Sequence, residues 1–144
     1  MKGLLRLVVV ALIGYGLYTY FVQNELDHPD EATGDFDSPA RCLDRLDDAI
    51  DALGIAVRKF GVPPVDVAEW DDTYDNLRQR RDLAEAACQC KGDTCKKGRE
   101  ASGSFGELIS DINDGIQDGG GPPSNAASRL DRILRLYEDG KALL

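Results

Sequence analysis

Histidine, tryptophan and methionine each occur once in the 144 residues, and aromatic side chains make up 7% of the chain. With His28 as the only imidazole, His-based triads, general acid–base pairs and most zinc-hydrolase designs are excluded. No G-x-S-x-G, H-E-x-x-H, P-loop or Rossmann fingerprint is present. Alternating strand patterns and internal repeats of fixed period are missing too. Positive charge is scarce: 17 Lys and Arg stand against 26 Asp and Glu, a formal net charge of -9. That deficit argues against a nucleic-acid partner, because phosphate backbones are held by basic faces. No catalytic residue, cofactor or metal is therefore expected, and the chain is read as a non-enzyme.

What is present is helical periodicity. From Leu43 the apolar positions are Leu46, Ile50, Leu53, Val57 and Phe60, spaced three, four, three, four, three. This is an a/d seam of coiled-coil type along one helix face. Ser38 is a suitable N-cap with Pro39 at the first helical position. The stretch GVPPVD, residues 61–66, cannot continue that helix. The pattern then restarts as Val67, Trp70, Tyr74, Leu77, Arg81, Ala84 and Cys88. Asp66 followed by Glu69 reads as a capping box. Two seams joined by a Gly/Pro turn predict an antiparallel hairpin.

Beyond it, Ser104 and Glu107 suggest a second capping box, opening a short third helix on Phe105, Leu108, Ile109, Ile112 and Ile116. Ser124 or Asn125 can cap a fourth, with Ala127, Leu130, Ile133, Leu134 and Tyr137 on one side and Gly140 as its stop. The predicted fold is all-α: a hairpin with two shorter docked helices, close to a four-helix bundle, over residues 38–144.

The segment before it reads differently. Gly3 to Val22 is a run of 20 residues carrying one charge, Arg6. As a helix it would rise about 30 Å, the thickness of a bilayer core. Lys2 and Arg6 precede the run, and Glu25, Asp27, Asp30, Glu31, Asp35 and Asp37 follow it. The positive-inside rule then predicts a single-pass anchor over residues 1–22, with the amino terminus in the cytoplasm. An acidic tether over 23–37 and the main domain would lie in the periplasm or outside the cell. The rival is a cleaved signal peptide, which needs small residues at its cut site. Gly14-Tyr15-Gly16 is the one candidate and falls inside the apolar run.

The four cysteines, Cys42, Cys88, Cys90 and Cys95, fit disulfides in that compartment better than a metal cluster, since Cys88-Gln89-Cys90 lacks common zinc spacing. Pairing the two seams with Phe60 against Trp70 brings Cys42 beside Cys88, leaving Cys90 to Cys95. The alternatives are Cys42–Cys90 with Cys88–Cys95, and Cys42–Cys95 with Cys88–Cys90. Among these cysteines sit Lys91, Lys96, Lys97 and Arg99, a basic turn suited to anionic headgroups or an acidic partner; the other reading is a solvated turn. Arg81 interrupts the second seam: its guanidinium either pairs with an aspartate of the first helix or meets a partner. Residues 111–115, Asp-Ile-Asn-Asp-Gly, imitate a calcium loop, but the EF-hand spacing is broken and a helix-end turn is expected.

The layout of anchor, tether and helical hairpin resembles phage inner-membrane spanins and bacterial divisome or secretion accessory proteins; the likeness is one of layout, with no shared motif. The functional expectation is an inner-membrane protein whose periplasmic domain binds or scaffolds another protein of the envelope, with homo-oligomers also open. The alternative is a cleaved, soluble ligand-binding or inhibitor protein.

Overall fold

The computed structural model describes residues 38–144. The sequence-predicted anchor over 1–22 and tether over 23–37, with His28, lie outside the described residues. Among the described residues no helix is long and apolar enough to cross a membrane.

The described chain is four helices: α1 (Pro39–Phe60), α2 (Val67–Ala87), α3 (Asp93–Gln117) and α4 (Ala126–Ala142). Consecutive helices run antiparallel through short links at 61–66, 88–92 and 118–125. α1 and α3 each pack against α2 and α4, and they also meet each other across the core. The result is an up-down-up-down bundle.

The first two helices form for the reasons their sequence gives. Ser38 caps α1 by accepting from the Arg41 N–H at 3.2 Å, and Pro39 needs no N–H at that position. Asp66 caps α2 by accepting from the Glu69 N–H at 3.1 Å. The capping box is only half made, because the Glu69 carboxylate turns to Lys59. Of the second seam, Trp70, Leu77, Ala84 and Cys88 are buried, whereas Val67 is exposed. Phe60 and Trp70 meet edge to face with ring centroids 5.3 Å apart, and Trp70 stacks on Tyr74 at 5.9 Å. Buried aromatic pairs of this kind contribute about 0.5–1.5 kcal/mol beyond area burial.

The third helix departs from expectation. It does not open at Ser104; it begins at Asp93 and, at 25 residues, is the longest of the four. Gly98, Ser102, Gly103, Ser104 and Gly106 are weak helix formers, and their density mimics a break. Tertiary packing overrides that cost, because two of these glycines admit groups from neighbouring helices. A Cβ at Gly98 would overlap the sulfurs of both Cys42 and Cys88, and one at Gly106 would lie 2.9 Å from the Arg81 Nε. The Asp111 to Gly115 segment accordingly lies inside this helix. Among the described residues no group of metal-ligating side chains is gathered.

Gly140 is likewise not a stop. It is buried within α4, which runs on to Ala142. Its Cα faces Lys97, Thr94 and Leu43, where a Cβ would sit 3.3 to 3.6 Å from its neighbours. Its carbonyl accepts from the buried Thr94 hydroxyl at 3.1 Å. The 118–125 link folds back on α3 through the Gly121 N–H, which donates to the Gly115 carbonyl at 2.9 Å. Gly121 holds φ at 78°, a conformation that favours glycine.

Candidate functional site

Antiparallel packing gathers the start of α1, the end of α2, the start of α3 and the end of α4 at one pole. All four cysteines stand there. Cys42 is bonded to Cys88 and Cys90 to Cys95, the pairing that the aligned seams imply. The first bridge joins residues 46 apart, which contributes about 4 kcal/mol in the chain-entropy picture of the unfolded state. Cys42, Cys88 and Cys95 are fully buried, so the sulfurs are core as well as staple.

The basic residues expected here as partner contacts divide into two groups. Arg99 is an internal tie: its guanidinium donates to the Cys88 carbonyl at 2.7 Å and to the Cys90 carbonyl at 2.9 Å. These carbonyls belong to the link after α2, where no helix supplies donors. Lys91 and Lys96 are exposed, and the Lys97 ammonium lies 3.9 Å from Glu100. The three lysines stand on the link and on the first turns of α3, so the cluster belongs to a helix start as well as to a turn.

Arg81 also turns inward, by a route the seam alone does not reveal. Its guanidinium pairs with Asp82 at 2.7 Å and Glu85 at 3.0 Å on its own helix, not with an aspartate of α1. The neighbouring Arg80 makes the cross-helix pair, to Asp48. The reason is the length of α3: position 81 lies over Gly106, and the Arg81 Nε is buried there without a hydrogen-bond partner. The arginine thus fills a space that α3 leaves open by carrying glycine.

Charge is distributed unevenly along the bundle axis. Within two turns of the helix ends, the cysteine pole carries Arg41, Arg45, Arg81, Lys91, Lys96, Lys97, Arg99 and Lys141 against Asp44, Asp82, Glu85, Asp93, Glu138 and Asp139. The opposite pole carries Arg58, Lys59, Arg129 and Arg132 against Asp66, Glu69, Asp71, Asp72, Asp111, Asp114, Asp118 and Asp131. Ion pairs absorb some of this, among them Arg129 to Asp111 at 2.6 Å. The domain as a whole is acidic, so the lysine-bearing pole stands out by contrast. At this pole Tyr137 is buried on α4, and its hydroxyl pKa is raised above 10.0, first by burial and then by Asp47, which shares a hydrogen bond with it.

The opposite pole holds a feature that the sequence did not single out. A cleft of about 230 Å³ opens between α1, α3 and α4, lined by Ala56, Val57, Phe60, Ile112, Pro122, Pro123, Ala126 and Ala127. Small side chains on α1 and α4 leave it unfilled, and the two prolines form its rim. The only trace in the sequence is the Gly-Gly-Gly-Pro-Pro stretch, which reads there simply as a break. Asn113 beside this pole accepts from the Trp70 indole N–H at 3.0 Å, using a residue of the false calcium loop as a core tie.

No family model, curated protein or solved structure matches this chain.

Proposed function

We propose that the chain is a single-pass inner-membrane protein whose extracytoplasmic four-helix bundle acts, without catalysis, as an interaction or scaffold subunit of an envelope complex. The observation that carries this reading is the pairing of all four cysteines within the bundle, with no free thiol. Disulfides of this kind persist in oxidising compartments, outside the cytoplasm. The 20-residue apolar run of Gly3 to Val22, flanked by positive and then acidic residues, supplies the anchor in this reading.

The test is carbonate extraction of native membranes, followed by crosslinking and capture through the bundle. A wash-resistant, full-length chain that captures a defined envelope protein supports the proposal. Release of a shortened chain by the wash refutes it. A reporter fused after Leu144 should be active only outside the cytoplasm; activity inside would reverse the topology.

The second reading, a cleaved soluble ligand-binding or inhibitor protein, has the apolar cleft at the far pole in its favour. Its volume exceeds the roughly 150 Å³ at which an engineered apolar cavity holds benzene. A truncated amino terminus in the mature protein, with saturable uptake of a small apolar probe, would favour it.

A further inference from the structure

We infer that the Cys90–Cys95 bridge is a thiol–disulfide exchange site, opened by a protein dithiol through attack on Cys90 while the Cys42–Cys88 bridge stays closed. The inference stands on the geometry of the cysteine pole and does not depend on the anchored reading above.

The two bridges differ in access. Cys42, Cys88 and Cys95 are 0% exposed, whereas Cys90 is 6% exposed. Cys90 also lies in the link between α2 and α3, followed by the exposed Lys91, Gly92 and Asp93. It is therefore the outer sulfur of its pair, and Cys95 the inner one. Thiolates open disulfides through a mixed disulfide, and access decides which sulfur they meet. An attack from solvent lands on Cys90 and expels Cys95 towards the bundle.

Both products find partners where they stand. Cys95 is the third residue of α3, whose N-cap Gly92 makes no side-chain hydrogen bond. A thiolate leaving there stands beside N–H groups without helical partners, at the positive end of the helix. Lys96 follows directly, and the Arg99 guanidinium is fixed 2.7 Å from the Cys88 carbonyl and 2.9 Å from that of Cys90. Asp93 and Glu100 oppose these cations without cancelling the helix start. Cysteines at helix starts beside cations ionise more readily than free thiols, and such a thiol is the faster leaving group. The Cys90 sulfur lies 3.6 Å from the Ala87 carbonyl at the end of α2. Within the bridge it has no proton to donate; as a thiol it gains one, and that carbonyl becomes its acceptor.

One dithiol balances the exchange. Its first thiolate bonds to the Cys90 sulfur, the Cys90–Cys95 bond breaks, and the electron pair leaves on Cys95. Its second thiolate then attacks its own sulfur in the mixed disulfide and releases Cys90. The dithiol is oxidised to a disulfide, the bridge is reduced to two thiols, and the two protons pass through solvent.

The fold survives this step. The bridge joins residues 5 apart in sequence, against 46 for Cys42–Cys88, so its loss frees the unfolded chain far less. After opening, Arg99 still holds the carbonyls of Cys88 and Cys90, and Thr94 still donates to the Gly140 carbonyl. Only the covalent tie across residues 91–94 is removed.

The experiment treats the full chain, kept in nonionic detergent, with dithiothreitol under native conditions; free thiols are then alkylated and mapped. Trypsin cuts after Lys91 and places Cys90 and Cys95 on separate peptides. Cys90 and Cys95 should be alkylated about tenfold faster than Cys42 and Cys88, with the helical signal kept. With glutathione, a monothiol, the trapped adduct should sit on Cys90. Opening of both bridges at one rate, or opening only in urea that abolishes the helical signal, would overturn the inference. An adduct on Cys95 would do the same. The Cys90→Ser/Cys95→Ser variant reproduces the open state and should keep both the helical signal and the Cys42–Cys88 bridge; its unfolding would show that the site cannot open in the native protein. Reoxidation of the dithiothreitol-treated chain should restore the original pairing, and scrambled bridges would count against a reversible site.

Discussion

At one end of the bundle, two disulfides, a glycine under the sulfurs and the bond from Thr94 to Gly140 join all four helices through short, specific contacts. At the other end, Phe60, Trp70 and Tyr74 pack as a ring cluster, beside a cleft and two proline-bearing links. The first end is closed by covalent bonds and tolerates almost no added volume. The second is closed by large apolar surfaces and leaves space unfilled. A small helical domain with a limited core thus stiffens one end chemically and leaves the other to burial alone. The stiff end also carries Lys91, Lys96 and Lys141, and the helix ends of the packed end are the more acidic.

Five variants probe this contrast, beginning with the largest effect. Replacing the long bridge by Cys42→Ala/Cys88→Ala should lower stability by about 4 kcal/mol in urea melts. Loss of much less would mean that the unfolded chain keeps structure around the bridge. In the same series Gly98→Ala should destabilise the native protein by about 1–3 kcal/mol through overpacking against the sulfurs. In the bridge-free background it should be neutral or stabilising, as alanine is the better helix former. An equal cost in both backgrounds would show that Gly98 is not there for the disulfide.

At the other end, Trp70→Phe keeps a ring but removes the donor to Asn113, and should cost about 1–2 kcal/mol by thermal melting. A cost near zero would make the far end plastic rather than merely unstapled. Thr94→Val, back at the cysteine pole, deletes one buried hydrogen bond of similar shape and should cost about 1 kcal/mol.

The smallest effect is a pH dependence confined to the cysteine pole. The Tyr137 pKa is raised in the folded state, so the folded protein holds the phenolic proton more tightly than the unfolded chain. The associated stability is fully present below pH 10 and is lost as pH rises through the folded-state value. Tyr137→Phe should flatten that alkaline fall in a pH series of melts, whereas an unchanged slope would show that Tyr137 does not carry it.

The sequence made some of these features legible and hid others for a physical reason. The hairpin was readable because each seam is a local pattern and each start has its own cap, Ser38 and Asp66. The bridge from Cys42 to Cys88 followed from aligning those seams. The start of α3 was not readable, because Gly98, Ser102, Gly103 and Gly106 lower helix propensity for the benefit of partners on other helices. Gly140 misled in the same way: it reads as a stop and acts as a contact surface for Thr94. Arg81 was legible as an anomaly of the seam, but its environment depends on Gly106, 25 positions later. The cleft depends on three helices meeting and leaves almost no trace in any one of them.

The bridge between Cys42 and Cys88 also decides how the domain would bear tension. A pull arriving through residue 38 passes along one turn of α1 and then crosses the sulfurs into the end of α2. From there it runs through residues 88–90, crosses Cys90 to Cys95, and continues along α3. Residues 43–87 and 91–94 are short-circuited and carry no covalent load toward any point further down the chain. Only residues 38–42 can be drawn out before the staple is reached, at most about 18 Å at ~3.6 Å per residue. The hairpin with Phe60, Trp70 and Tyr74 is left unstretched, so its surface keeps its shape even while the domain is being pulled.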